Sequence, residues 1–141
     1  MKKVFVDTDV ILDLLADRKP YSASAQSLFS LMDQKEIEGF VSSLSFSNLH
    51  YILRKLNSNR EAVRILGKLK AIVSVLPVDG KIVEMALAAP FKDFEDALQY
   101  HTAIENHIPY LITRNTKDFQ KGHLIVCTAE EFLNMRNQRE K

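Results

Sequence analysis

The chain has 141 residues, 46% hydrophobic and 26% charged, with 4 Gly and 4 Pro; this suits one globular domain over 1–141 and excludes a disordered or collagen-like chain. With 19 basic against 18 acidic residues the net charge is +1, so bulk charge argues neither for nor against a nucleic-acid partner, and such contacts must come from local patches. The single cysteine, Cys127, excludes an intramolecular disulfide and fits a reducing, cytoplasmic setting; acids interrupt the N-terminus where a signal peptide would be uncharged, and no apolar run reaches the ~20 residues of a membrane span.

Residues 3–6 read as a short strand, apolar on both faces, and 10–16 as a short helix with Asp9 as its N-cap. Ser22 is placed to cap a helix carrying Ala25, Leu28, Phe29 and Met32 on one face. GFVS (39–42) reads as a strand. Leu49, Ile52, Leu53 and Leu56 then form a helical stripe capped by Ser43 or Ser45, and Ala62, Val63, Leu66, Leu69 and Ile72 form another. VSVL (73–76) is a strand closed by Pro77. Asp79 caps a helix bearing Ile82, Val83, Ala86 and Leu87, which Pro90 stops. A helix over 93–106 follows, then strands YLIT (110–113) and LIV (124–126). Thr128 and Glu131 form a capping box for a last helix with Phe132 and Leu133.

Short apolar strands separated by helices imply an α/β domain with a mainly parallel, five-stranded sheet covered on both faces. In such sheets the functional crevice lies at the carboxyl ends of the strands. Asp7 follows the first strand directly, and Asn115 and Asp118 follow the strand at 110–113. Asp93 and Asp96 open the helix that precedes that strand, three residues apart and therefore on one side of its first turn. If the two strands are neighbours, these oxygens share one edge.

Each acid taken singly has an ordinary structural role. Asp7 suits a turn, Asp9 a helix cap, Asp13 the solvent face of its helix, Asp93 with Asp96 a capping pair, and Asp118 a loop. Brought together, the carboxylates repel one another, and desolvation sharpens the repulsion. A hard divalent cation such as Mg²⁺ or Mn²⁺, bound by oxygens and retained water, offsets that cost and suits hydrolysis of a phosphodiester.

These residues, in this order, resemble the PIN-domain family, in particular the small toxin-like ribonucleases of toxin–antitoxin modules (VapC-type). The similarity runs through VFVDTDVILDLL, FVSSLSFSNLHYIL and DFEDALQYHTAIENHIPYLITRNTKDF, almost the whole chain. It implies a three-layer α/β/α fold and a Mg²⁺- or Mn²⁺-dependent endoribonuclease. Asp7, Asp96 and Asp118 would be the catalytic, metal-binding acids, with Asn48, Asp93 and Asn115 as auxiliary ligands or water-orienting groups. The family usually carries a glutamate where Asn48 stands, and many relatives have Asp where Asn115 stands. Two neutral amides lower the negative potential and weaken metal affinity; Asp93 and Glu95 lie near enough in sequence to compensate. The resemblance also implies an antitoxin protein as partner and a homodimer, for which the stripes at 49–56 and 62–72 would serve wherever they expose apolar surface.

Arg114 and Lys117 flank the last motif and are placed by position to meet RNA phosphates. Arg18 with Lys19, and Arg54 and Lys55 with Arg60, suit a solvated surface. His50, His101, His107 and His123 show no ligand spacing, and the serines at 42, 43, 45 and 47 lack a nucleophile-elbow context. A catalytically weakened module that binds RNA or a protein without cutting is the alternative, supported by Asn48 and Asn115. A haloacid-dehalogenase-like phosphatase would continue DTD with Gly-Thr, whereas this chain continues Val-Ile; a receiver-type phosphoacceptor lacks its lysine. The nuclease expectation therefore stands or falls on Asp7, Asp96 and Asp118 reaching a common pocket.

Overall fold

The apolar runs become strands. A computed structural model describes residues 1–89, 91–119 and 123–140, the last two without side-chain detail. Among the described residues the strands are β1 (Lys2–Val6), β2 (Ile37–Ser42), β3 (Ser74–Leu76), β4 (Tyr110–Ile112) and β5 (Ile125–Cys127). They form one sheet in the order β3-β2-β1-β4-β5. Every pairing is parallel, so the expected mainly parallel sheet is wholly so among the described residues. The helices are α1 (Thr8–Leu15), α2 (Ser22–Asp33), α3 (Ser43–Leu56), α4 (Asn59–Lys70), α5 (Gly80–Leu87), α6 (Phe94–Glu105) and α7 (Ala129–Glu140).

Strand alternation divides the core into two faces. Val4, Val6, Tyr110 and Ile112 point to the side where Ile11, Leu28, Leu49 and Phe132 are buried, on α1, α2, α3 and α7. Phe5 and Leu111 point the other way, onto Tyr100 and Ala103 of α6 and onto Phe119. The fold is thus the three-layer α/β/α arrangement. Gly39 sits where β2 meets α2, and the Met32 thioether fills the space that a Cβ would take there.

Three expected caps are displaced. Asp7, not Asp9, caps α1, its Oδ1 accepting from Thr8 N at 2.8 Å, because the helix begins the moment β1 ends. Ser42, rather than Ser43 or Ser45, caps α3 and accepts from Ser45 N at 3.1 Å, since β2 also runs directly into its helix. Ser22 is the buried first residue of α2, whose cap position is Tyr21 with no side-chain bond. The caps at Asp79, Asp93 and Thr128–Glu131 form as the sequence predicts.

Asp13, expected at the solvent face, is 1% exposed. Leu56, Val63 and Leu87, expected in apolar stripes, are instead exposed, as their helices bury a narrower face than the spacing predicts. The stop expected at Pro90 lies outside the described residues; α5 ends at Leu87 with Ala88 as its cap position.

Candidate active site

The sheet order places β1 between β2 and β4, so the chain leaves β1 toward one side and later returns on the other. That switch point is where parallel sheets open a crevice beyond the strand ends. Asp7 leaves β1 there, and its backbone N donates to Ile112 O of β4 at 2.9 Å. Thr113, Arg114 and Asn115 leave β4 beside it, followed by a 3₁₀ turn, Thr116–Phe119, that carries Asp118. Ser42 and α3 leave β2 on the opposite side. Since α6 runs back before β4, its N-terminus, with Asp93, Glu95 and Asp96, arrives at the same edge.

All the expected acids and amides line one cavity of about 700 Å³: Asp7, Asn48, Asp93, Asp96, Asn115 and Asp118. Asp9 and Glu95 join them on its wall. The sequence therefore locates the cavity, although it gives Asp9 only the role of a cap. Asn48 lies in the second turn of α3, and its Nδ2 donates to Glu95 Oε1 at 2.9 Å. Asn115 reaches across the mouth, Nδ2 donating to Asp9 Oδ2 at 3.4 Å.

Asp7 is 5% exposed and is supported from below. Thr113 Oγ1 donates to its Oδ2 at 2.9 Å, and Gln99 Nε2 approaches its Oδ1 at 3.4 Å. Gln99 is fully buried, one helical turn beyond Asp96. Its Nε2 also donates to Ser45 Oγ at 2.8 Å, while Ser42 Oγ donates to its Oε1 at 2.6 Å. Thr8 Oγ1 and Ser45 Oγ lie 2.7 Å apart, completing a buried polar web that ties β1, α3 and α6 together beneath the acids. Such webs rigidify when their members are satisfied. Gln99 and Thr113 are the supporting residues that sequence reasoning passes over, whereas Glu95 is an acid it names as a compensating charge. The available signals were a lone polar residue between Leu98 and Tyr100 in register with Asp96, and a threonine directly after a core strand.

The electrostatics follow from this packing. Burial pushes the Asp7 carboxyl up to about 6, against the lowering hydrogen bond from Thr113. Desolvation, followed by the charges of Asp7, Asp93, Asp118 and Glu95, pushes Asp96 up to about 7. Glu95 is raised by burial and by Asp93, and lowered by its bond from Asn48. Among the residues lining the cavity there is no lysine or arginine. Arg114 lines a neighbouring cavity instead, and Lys117 is exposed on the 3₁₀ turn. His101 lies against Phe91 and Tyr100 rather than on the cavity wall.

The donor set consists of carboxylate and amide oxygens, which suit a hard divalent ion and not zinc or a soft metal. Among the described residues no three His, Cys, Asp or Glu side chains are drawn together tightly enough to form a ready-made cage. An ion taking one or two carboxylates directly and keeping several waters fits that spread, as Mg²⁺ commonly does.

Known proteins with this architecture are recognisable. A family profile described as PIN domain matches residues 3–117. The chain is similar to Ribonuclease VapC1 of Aquifex aeolicus (strain VF5), 31% identical over 137 residues, or 93% of each chain. Among solved structures it is similar to one in a toxin–antitoxin complex from Klebsiella pneumoniae, with TM-score 0.67, 22% identity, and coverage of 89% of this chain and 97% of that one. It also resembles Mycobacterium tuberculosis VapC20, a sarcin-ricin loop cleaving toxin, with TM-score 0.61, 19% identity, and coverage of 77% and 86%.

Proposed function

The chain belongs to the PIN-domain family, and from that premise we propose that it is a metal-dependent endoribonuclease, the toxin of a toxin–antitoxin pair, with residues 1–141 as a single catalytic domain. The observation that carries the proposal is the carboxylate cavity: buried Asp7 and half-buried Asp9 and Asp96 share one pocket with the exposed Asp93, Glu95 and Asp118, and among the described residues its wall carries no lysine or arginine. Proteins rarely bury negative charge uncompensated without a use for it.

One or two of Asp7, Asp96 and Asp118 would hold Mg²⁺ or Mn²⁺ directly and the remainder through its waters, with Asn48, Asp93 and Asn115 as auxiliary ligands or water-orienting groups. A divalent cation there polarises a phosphoryl oxygen and lowers the pKa of a bound water, the chemistry that phosphodiester hydrolysis needs. Thr113 and Gln99 fix the Asp7 carboxylate so that both oxygens keep one orientation. Asn48, held through its Nδ2 by Glu95, keeps its carbonyl oxygen free for an ion or a water. Lys117 and Arg114 supply cationic surface for the RNA on the β4 side of the cavity.

Exposed Tyr51 and Leu56 on α3 and Val63 on α4 give an apolar face for an antitoxin or a second copy of the chain. The solved complexes of similar fold include VapBC-1 from Haemophilus influenzae, with TM-score 0.67 and 17% identity. Among the described residues no helix is long and apolar enough to cross a membrane, in keeping with action in the cytoplasm.

The test is cleavage of a mixed RNA pool with and without Mn²⁺, comparing wild type with Asp96→Ala. Metal-dependent cleavage that Asp96→Ala abolishes supports the proposal. Asn48 and Asn115, neutral where charge would strengthen metal binding, favour one second reading: a module that binds RNA or a protein without cutting. Absence of both Mn²⁺ binding and cleavage in folded wild type would favour it.

A further inference from the structure

On the far side of Asn115 lies a second cavity, of about 370 Å³. Asn115 lines both it and the carboxylate cavity. The first turn of α1 forms the rest of the partition, with Asp9 facing the acids and Val10 and Asp13 lining the second cavity. Among the described residues its wall carries one aromatic ring, Tyr21, beside the planar Arg114 guanidinium. Tyr21 is 45% exposed, and the Arg114 guanidinium lies 4.2 Å from its ring centroid. Ser24 and Thr128 add hydroxyls that can donate or accept.

Arg114 is held in this orientation. Its Nε lies 3.1 Å from Asp13 Oδ2, and Arg18 Nε donates to the other Asp13 oxygen at 3.1 Å. Asp13, buried at the back, pairs with the guanidinium through charge and neutralises part of it. Among the described residues the lining holds two acids, Asp13 and Glu130, against the one arginine. Such a cavity offers a stacking face and hydrogen bonds, not a cationic field. A neutral, planar heterocycle fits it better than a phosphate does. Single-stranded RNA is gripped by stacking on aromatic and guanidinium planes.

We propose that this cavity binds the base of a nucleotide adjoining the scissile phosphate, stacked on the Tyr21 ring, whose other face the Arg114 guanidinium covers. The proposal rests on the ribonuclease reading for its substrate class. It assigns Arg114 to backing the ring and Asp13 to anchoring that arginine. A strand crossing Asn115 would then leave its phosphate over the acids and its next base in the second cavity.

The experiment measures fluorescence-anisotropy binding of a short single-stranded RNA to the full chain in EDTA, so that cleavage plays no part. A series of oligonucleotides carries one abasic site at each position in turn. Tyr21→Ala is expected to weaken binding about tenfold, the usual scale of one lost stacking contact, whereas Tyr21→Phe retains it. Ser24→Trp, which fills the cavity and leaves Tyr21 in place, is expected to match Tyr21→Ala. At one position the abasic site should cost wild type about tenfold and cost Tyr21→Ala nothing more.

Additive penalties at every position would overturn the proposal. So would unaltered RNA binding by folded Tyr21→Ala and Ser24→Trp, no RNA binding by wild type, or a loss confined to antitoxin binding. The ribonuclease reading fails separately: if wild type binds RNA with the expected non-additivity but does not cleave with Mn²⁺, that reading falls and the base site stands. If wild type cleaves while the cavity variants bind normally, the reverse holds.

Discussion

Two buried aspartates on the first helix and its cap meet opposite treatment. Asp13 is 1% exposed and faces Arg18 and Arg114, each with a nitrogen at 3.1 Å. Asp7, six positions earlier in sequence, is 5% exposed and meets hydroxyl, amide and backbone donors, with further carboxylates across the cavity. Burying a carboxylate is costly in both cases. At Asp13 the protein's own cations offset part of the cost, although burial still holds its carboxyl above the ordinary range. At Asp7 no cation among the described residues of the cavity wall offsets it, and under the function proposed above a divalent ion would. The difference separates an internal ion pair from a binding site more clearly than burial does.

The comparison breaks most visibly at Asp7. Asp7→Asn should reduce cleavage by about 10³-fold or more while leaving the circular dichroism spectrum and Tm close to wild type or higher, because it removes repulsion rather than a pair. Full activity in a folded Asp7→Asn variant would remove this residue from the site. Asp13→Ala should do the converse. It strands two guanidiniums and opens a void, costing about 2 kcal/mol of stability, a figure tempered by the partial exposure of both arginines. A urea denaturation midpoint unchanged from wild type would show that the pair is dispensable.

The pH dependence sharpens the same contrast. Asp96 is pushed up to about 7 and Asp7 to about 6, both from an ordinary 3.8. Between pH 4 and 7 the metal-free fold therefore binds protons that the unfolded chain releases. Its stability is greatest at the acidic end of that window and falls as pH rises through about 6 to 7. Thermal melts in EDTA should decline over that range, and Mn²⁺ should raise Tm more at pH 8 than at pH 5.5, where it must displace the protons. Asp96→Asn should flatten the EDTA profile; an unchanged slope would place the titration elsewhere.

The smallest expected effect is at Thr113→Val, which removes one donor from Asp7. It should cost about 1 kcal/mol of stability at neutral pH and weaken Mn²⁺ binding severalfold, read by calorimetry. Equal affinity in the variant would show that Asp7 needs no help from below.

Much of this was legible beforehand, for a physical reason. Strand ends at a parallel sheet are set by short apolar runs; Asp7, Asn115 and Asp118 come after such runs and Asp96 opens the helix that returns to the next one, so all four could be assigned to one edge. The caps slipped because β1 and β2 pass into their helices without a loop, leaving Asp7 and Ser42 to do two jobs. Asp13 misled because its partners, at 18 and 114, come from the turn after its own helix and from the segment after β4. Helical periodicity carries no information about a counterion contributed by a distant segment. Gln99 stayed hidden because its four partners converge only after β1, β2 and α6 have packed.

Cys127 closes β5, 4% exposed, with burial pushing its thiol up to about 12. Its carbonyl accepts from Thr113 N at 3.0 Å, in the segment that also braces Asp7. A sulfhydryl so shielded and so protonated stays inert toward alkylating reagents until the edge of the sheet peels away. The rate at which it is labelled is therefore a clock on that edge. Anything that clamps the crevice from above should make the clock run slower.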